Sequence, residues 1–201
     1  MRFRDPQRPS RRVVHPLLLG VLLCVGIGGE ARGQSHLLYG GEPVHPACIQ
    51  ALAMHQGDAV PVITAVSLEG CASSERSKAP VTLDGEVASF EDESILGGGT
   101  FGYRELTQLD NGIIGLAIRR TFPDGSERVS LAAVKIVERP MIRQGRVAAM
   151  QHIELLGELW VPDIDILSFR SIGNRVHFVA GVGPEKVERN VDFTRLGKLR
   201  K

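Results

Sequence analysis

The chain has 201 residues, with 24 lysines and arginines against 23 aspartates and glutamates, for a formal charge of +1. Hydrophobic residues make up 43% of it, enough for a sizeable core. Aromatics make up only 5%, which argues against a stacking platform for single strands or sugars.

The N-terminus carries much of that positive charge. Arg2, Arg4, Arg8, Arg11 and Arg12 against Asp5 form a basic leader, followed by an apolar run of 13 residues from Leu17 to Gly29. That run fits the ~7–15-residue core of a secretory signal and falls short of the ~20 residues that cross a bilayer. Ala31-Arg32-Gly33 places small residues two apart, so cleavage is expected between Gly33 and Gln34, with a cut after Ala31 as the second choice. Residues 1–33 are thus read as a signal peptide and 34–201 as a single β-rich exported domain, periplasmic or secreted. No stable membrane span is expected after cleavage.

Ser10-Arg11-Arg12 resembles the start of a twin-arginine signal, but Val14 and His15-Pro16 depart from the usual pattern. The general secretory route is therefore preferred. Cys24 follows Leu23 where a lipoprotein signal needs a small residue, which argues against lipidation.

The leader holds six basic residues (the five arginines and Arg32) and two acidic ones, Asp5 and Glu30. Beyond it stand 18 basic and 21 acidic residues, a net charge of −3. Nucleic-acid binding needs the opposite footprint, so no nucleic-acid partner is expected. The basic run Arg195, Lys198, Arg200 and Lys201 reads as a solvated tail.

A cut before Gln34 leaves Gln34-Ser35-His36, an amine with histidine third. That triplet can wrap copper(II) or nickel(II) in a square plane. Cyclisation of the glutamine would remove the amine, so metal handling through His36 is an alternative, and no metal or other cofactor is assigned.

Next along the chain, PACIQALAMHQG reads as a helix with Pro46 at its first position and Gly57 past its end. Cys48, Ile49, Leu52 and Ala53 share one side of it. VPVITAVSLEGC reads as a buried strand ending at Cys71. Cys48 and Cys71 are the two cysteines left after the leader, and an oxidising compartment predicts a disulfide between them.

Beyond Ser77 the pattern is one of hairpins. Turns are expected at Asp110-Asn111-Gly112, Pro123-Asp124-Gly125, Gln144-Gly145 and Gly173-Asn174. RVAAMQHIELLGEL also fits a helix face through Ala149, Ile153, Leu156 and Trp160, but the flanking turns favour a strand. ILSFRS and RVHFVAG read as strands, the latter with Val176, Phe178 and Ala180 alternating against Arg175, His177 and Val179. The expected fold is mainly β: an antiparallel meander of roughly eight to ten strands, as barrel, roll or sandwich, with one short N-terminal helix tied on by the disulfide.

Candidate chemistry is sparse. Gly97, Gly99 and Gly102 spell G-x-G-x-x-G, but the residues that follow run into the Asn111-Gly112 hairpin. A dinucleotide loop needs a following helix and an acid about 20 residues on. Arg119 and Arg120 stand there instead, and the loop is read as a connector.

Glu91-Asp92-Glu93 and Asp163-Ile164-Asp165 are read as solvated acids in turns, without calcium-loop spacing. Cys48 beside His45 or His55 would suggest a thiol site, which disulfide pairing removes. No catalytic residue is assigned. The leading expectation is a non-enzymatic domain binding an envelope protein partner or an apolar ligand. The rival is a hydrolase drawing on Asp163, Asp165, His152 or His177 from distant strands.

Overall fold

The computed structural model of the chain describes residues 36–52, 65–93, 98–161, 164–180 and 186–196. Gly33, Gln34, Ala53, His55, Gly57, Gly97 and Asp163 lie outside the described residues.

A two-stranded ribbon opens the chain, β1 (Leu38–Tyr39) and β2 (Glu42–Pro43), and helix α1 (Pro46–Leu52) follows. Pro46 suits the first helical position because its missing N–H has no intrahelical partner to lose. His45 completes the start of the helix: its Nδ1 accepts the Ala47 N–H at 3.1 Å. Cys48, Ile49 and Leu52 are buried, as their helical spacing predicts.

The next strand, β3 (Ala65–Ser67), stops earlier than its composition suggests. Ser67 accepts the Gly70 N–H at 3.1 Å and so starts a second helix, α2 (Leu68–Ala72), which carries Cys71. The predicted disulfide is present, with Cα atoms 5.8 Å apart, and it ties α1 to α2 just beyond the end of β3. The cap explains why LEGC is not strand.

The meander then runs through β4 (Thr82–Asp84), β5 (Val87–Glu91), β6 (Thr100–Gln108), β7 (Ile113–Thr121), β8 (Glu127–Arg143) and β9 (Arg146–Val161). All pairings are antiparallel, and β3 adds to the far side of β9. The order β3-β9-β8-β7-β6-β5-β4 leaves β3 and β4 as its ends, so the described sheet does not close into a barrel. The four expected turns stand where the sequence places them. At the β8–β9 turn both Gln144 (φ 51°) and Gly145 (φ 75°) take the left-handed conformation, as a two-residue hairpin requires.

Both faces of this sheet are covered. On one face Phe101, Tyr103, Leu116, Ile118, Val134 and Ile153 meet Ile49 and Leu52 of α1 and Leu68 of α2. On the other, Ala117, Val129, Leu131 and Ala133 meet a second layer. That layer is a three-stranded sheet of β10 (Arg170–Ile172), β11 (Arg175–Ala180) and β12 (Val187–Asp192), closed by helix α3 (Phe193–Leu196).

Alternation sorts the two cores: Ile114, Leu116 and Ile118 face α1, while Ala117 faces the layer. The register skips Leu106 on β6 and Leu156 on β9, and both of these bulged residues face the second layer. Of the expected shapes, sandwich describes this side best. ILSFRS begins otherwise than expected. Asp165 accepts the Leu167 N–H at 2.9 Å and sets a 3-10 turn over Ile166–Ser168, so the strand starts only at Arg170.

One arginine fastens the layers. Arg104 Nη1 and Nη2 donate to the Ile166 and Phe169 carbonyls, each at 3.3 Å. Its Nε lies 2.9 Å from Glu86 Oε2, close enough for ion pairing though not aligned as a hydrogen bond. Burial lowers the guanidinium's proton affinity, and Glu86 opposes that shift. Arg104→Ala leaves two carbonyls and a carboxylate without this partner, and a loss of about 2 kcal/mol is expected in urea unfolding.

The β8–β9 hairpin outruns its neighbours. β7 covers β8 only as far as Lys135, and β3 covers β9 only at His152–Glu154. From Glu138 to Gln151 the two strands pair only with each other among the described residues. The two-residue turn makes Arg143 and Arg146 the hydrogen-bonded pair, and alternation makes Pro140 and Ala149 a non-hydrogen-bonded one. Pro140 therefore aims its missing donor at the open side of β8, where no ladder bond is lost.

Candidate functional site

A cleft of about 340 Å3 opens beside the disulfide. Its walls are set by three long-range contacts. Buried Tyr103 on β6 donates its hydroxyl to the Val44 carbonyl at 2.7 Å, holding the β1–β2 ribbon against the sheet. The Cys48–Cys71 bridge holds α2 beside α1. His45 Nε2 donates to the Ala79 carbonyl at 2.9 Å, which fixes the chain leading into β4.

Tyr39, Glu42 and Pro43 then form one side of the cleft, Leu68, Ala72 and Ser77 another, and Val81 and Leu83 the rim. The surface is mostly apolar. Its polar side chains belong to Tyr39, Glu42, His45 and Ser77. The last is already engaged, donating to the Cys71 carbonyl at 2.6 Å.

His45 lines the cleft, but both of its nitrogens are committed: Nδ1 accepts the helix N–H, so Nε2 carries the proton given to Ala79. It has no nitrogen left for a substrate or a metal. The groups whose ionisation burial displaces stand elsewhere. The Tyr103 phenol is pushed well above its usual range by burial first and by Glu105 second. Burial raises the Glu105 carboxyl and lowers the Arg120 guanidinium, the latter against Glu158 and Asp92. None of these three lines the cleft.

The chain matches no protein-family model, no curated protein and no solved structure. What it does must be argued from its own side chains.

The predicted site residues fall as follows. Asp92 corrects the reading of Glu91-Asp92-Glu93 as solvated acids, because it is only 5% exposed. Gln50 of α1 donates its amide to Asp92 Oδ2, and the Asp92 N–H donates to the Gly99 carbonyl at 2.7 Å. The glycine stretch is a connector: β5 precedes it and β6, not a helix, follows, with Gly102 inside β6. A Cβ on Gly102 would lie 3.1 Å from that of Ser89, so this glycine serves a close approach of strands.

The hydrolase candidates are dispersed. His152 is buried on β9 with Nδ1 donating to the Met150 carbonyl at 3.1 Å. His177 stands on the side of β11 opposite buried Val176 and Phe178, beside Asn190 of β12. Asp165 caps its 3-10 turn. None of these three lines the cleft. His36 is 6% exposed with neither ring nitrogen hydrogen-bonded, so a copper or nickel chelate would have to withdraw it from the wall of the fold. No group of three or more His, Cys, Asp or Glu able to hold a metal gathers among the described residues.

The cleft itself was missed by sequence reading. The ribbon that walls it turns on Gly40-Gly41, a visible signal, but the strands on either side have two residues each and carry no period.

Proposed function

We propose that this protein is an exported, non-enzymatic binding domain that takes an apolar ligand, or an apolar side chain of an envelope partner, into the cleft beside the disulfide. The observation that carries this is chemical: a concave, mostly apolar site whose one histidine has both nitrogens occupied. Its volume lies in the ~300–1,000 Å3 range of small-molecule sites. Catalysis asks instead for a nucleophile and a base free to act on one substrate, and among the described candidates Asp165, His152 and His177 stand on separate elements. Export is supported by the leader's basic, apolar, small-residue order. A disulfide fits an oxidising compartment, and no described helix is long and apolar enough to cross a membrane.

The probe is anilinonaphthalene sulfonate, whose fluorescence rises in apolar sites. Leu83 sits on the rim and is 52% exposed, so changing it does not disturb the core. The expected result is saturable enhancement by the native protein and loss of about tenfold in affinity with Leu83→Glu, as one apolar contact is exchanged for a charge. Enhancement that is unsaturable, or equal in the variant, would refute the cleft as the site.

A further inference from the structure

A second surface lies away from the cleft. On the β8–β9 arm, Ile142 is 79% exposed, Val147 74% and Met141 43%, and Ile142 and Val147 stand directly opposite each other. Pro140 and Ala149, the next pair on that face, are exposed as well. From Arg139 to Met150 the sequence contains three arginines and no acid. Glu138 and Glu154 stand at the arm's base, where Glu154 pairs with Arg139. Arg143 and Arg146 flank the turn, opposite each other in register. Outside this arm and residues 1–33, 15 basic residues face 21 acidic ones. A cationic, apolar finger thus projects from an acidic body.

We propose that the arm docks on an anionic lipid surface. The charge distribution orients the approach, since the body is repelled by such a surface while the arm is drawn to it. The tip meets the surface end-on. Ile142 and Val147 on one face and Met141 on the other supply apolar area for the boundary between headgroups and acyl chains, and the arginines beside the turn supply charge to lipid phosphates. Pro140 leaves the open side of β8 one donor short for strand addition, and what the arm offers a partner is its exposed apolar side chains and its arginines. A fluid bilayer surface asks for nothing else. This docking is peripheral, needs no membrane span and does not depend on what fills the cleft.

The test uses sedimentation of the purified exported protein with sucrose-loaded vesicles at about 0.1 M salt. One set is phosphatidylglycerol mixed with phosphatidylethanolamine; the other is pure phosphatidylcholine. Binding is expected to the anionic set only. Each arginine near such a surface contributes about fivefold, so Arg143→Ala with Arg146→Ala should weaken partitioning about 25-fold. Ile142→Ser with Val147→Ser should abolish it. All four positions belong to the projecting hairpin, and unchanged near-ultraviolet circular dichroism would confirm that the fold persists.

Equal binding to both vesicle sets, no binding to either, or binding that survives Ile142→Ser with Val147→Ser would each overturn the proposal. So would a dimer in solution that the serine pair dissolves, because it would assign the arm to a second copy.

Discussion

Replacing Cys48 and Cys71 together by alanine is expected to cost about 3–3.5 kcal/mol and to lower the melting temperature by roughly 10 °C. The bridge closes a loop across a sequence separation of 23 residues, and the chain-entropy account assigns that cost to freedom restored to the unfolded state. The folded state has little else to hold α2 in place. This helix is five residues long, Leu68 is its one buried residue, and Ser67 supplies its cap. Without the bridge, the wall of the cleft that carries Leu68 and Ala72 keeps these contacts, its packing on β9 and the Ser77 hydrogen bond to the Cys71 carbonyl, but loses its tie to α1. Ligand affinity should therefore fall along with stability. Calorimetry of the native protein with and without reductant tests the first part, and reduction should reproduce the double variant. A melting temperature that moves by less than about 2 °C in both would show the bridge to be energetically idle.

Gly157→Ala is expected to cost about 3 kcal/mol, the upper end for one added methyl group. On the face of β9 toward α3, a Cβ at this position would overlap the carbonyl of Leu196. A backbone carbonyl has no rotamer to escape into, so α3 itself must retreat. Phe193 and Leu196, 0% and 4% exposed, would lift from the sheet with it. Gly115 on β7 makes the matching space for the Phe193 ring. Gly115→Ala should cost less, because a ring can tilt where a peptide cannot. Urea unfolding of the two variants gives the ranking. A Gly157→Ala change within about 0.5 kcal/mol of the native protein would refute the docking of α3 as described.

These two glycines show where sequence reading ends. IIGLAIRRTF and RVAAMQHIELLGEL read as strands because turns flank them, and both form strands, β7 and β9. Nothing local says that Gly115 and Gly157 are vacancies for a helix that arrives from Phe193–Leu196, far along the chain. The hairpins were legible because Asn-Gly, Asp-Gly and Gln-Gly specify turn geometry within two residues. The disulfide was legible by elimination, with two cysteines left beyond the leader.

The failures have two causes, one local and one long-range. Ser67 and Asp165 each redirected an apolar run into a helical turn through a single side-chain bond to the backbone, which outweighs β-propensity over a short segment. Asp92 looked solvated because it sits between two other acids. Its burial depends on Gln50, 42 residues earlier. The candidate cleft joins β1, α1, α2 and β4 by contacts of that range, and no period in the sequence encodes them.

Pro140 has a meaning beyond its own hairpin. A β-hairpin with open outer edges, rich in Met, Ile, Val and Ala and with no acid near its tip, is the kind of segment that stacks with copies of itself into fibrils. The proline removes one donor from that template, and arginines on either side of the turn add repulsion between like copies. The arm can thus stay sticky toward other surfaces while being a poor seed for its own polymerisation. That matters most for a protein held at high local concentration, where an unguarded edge would turn a binding element into an aggregate.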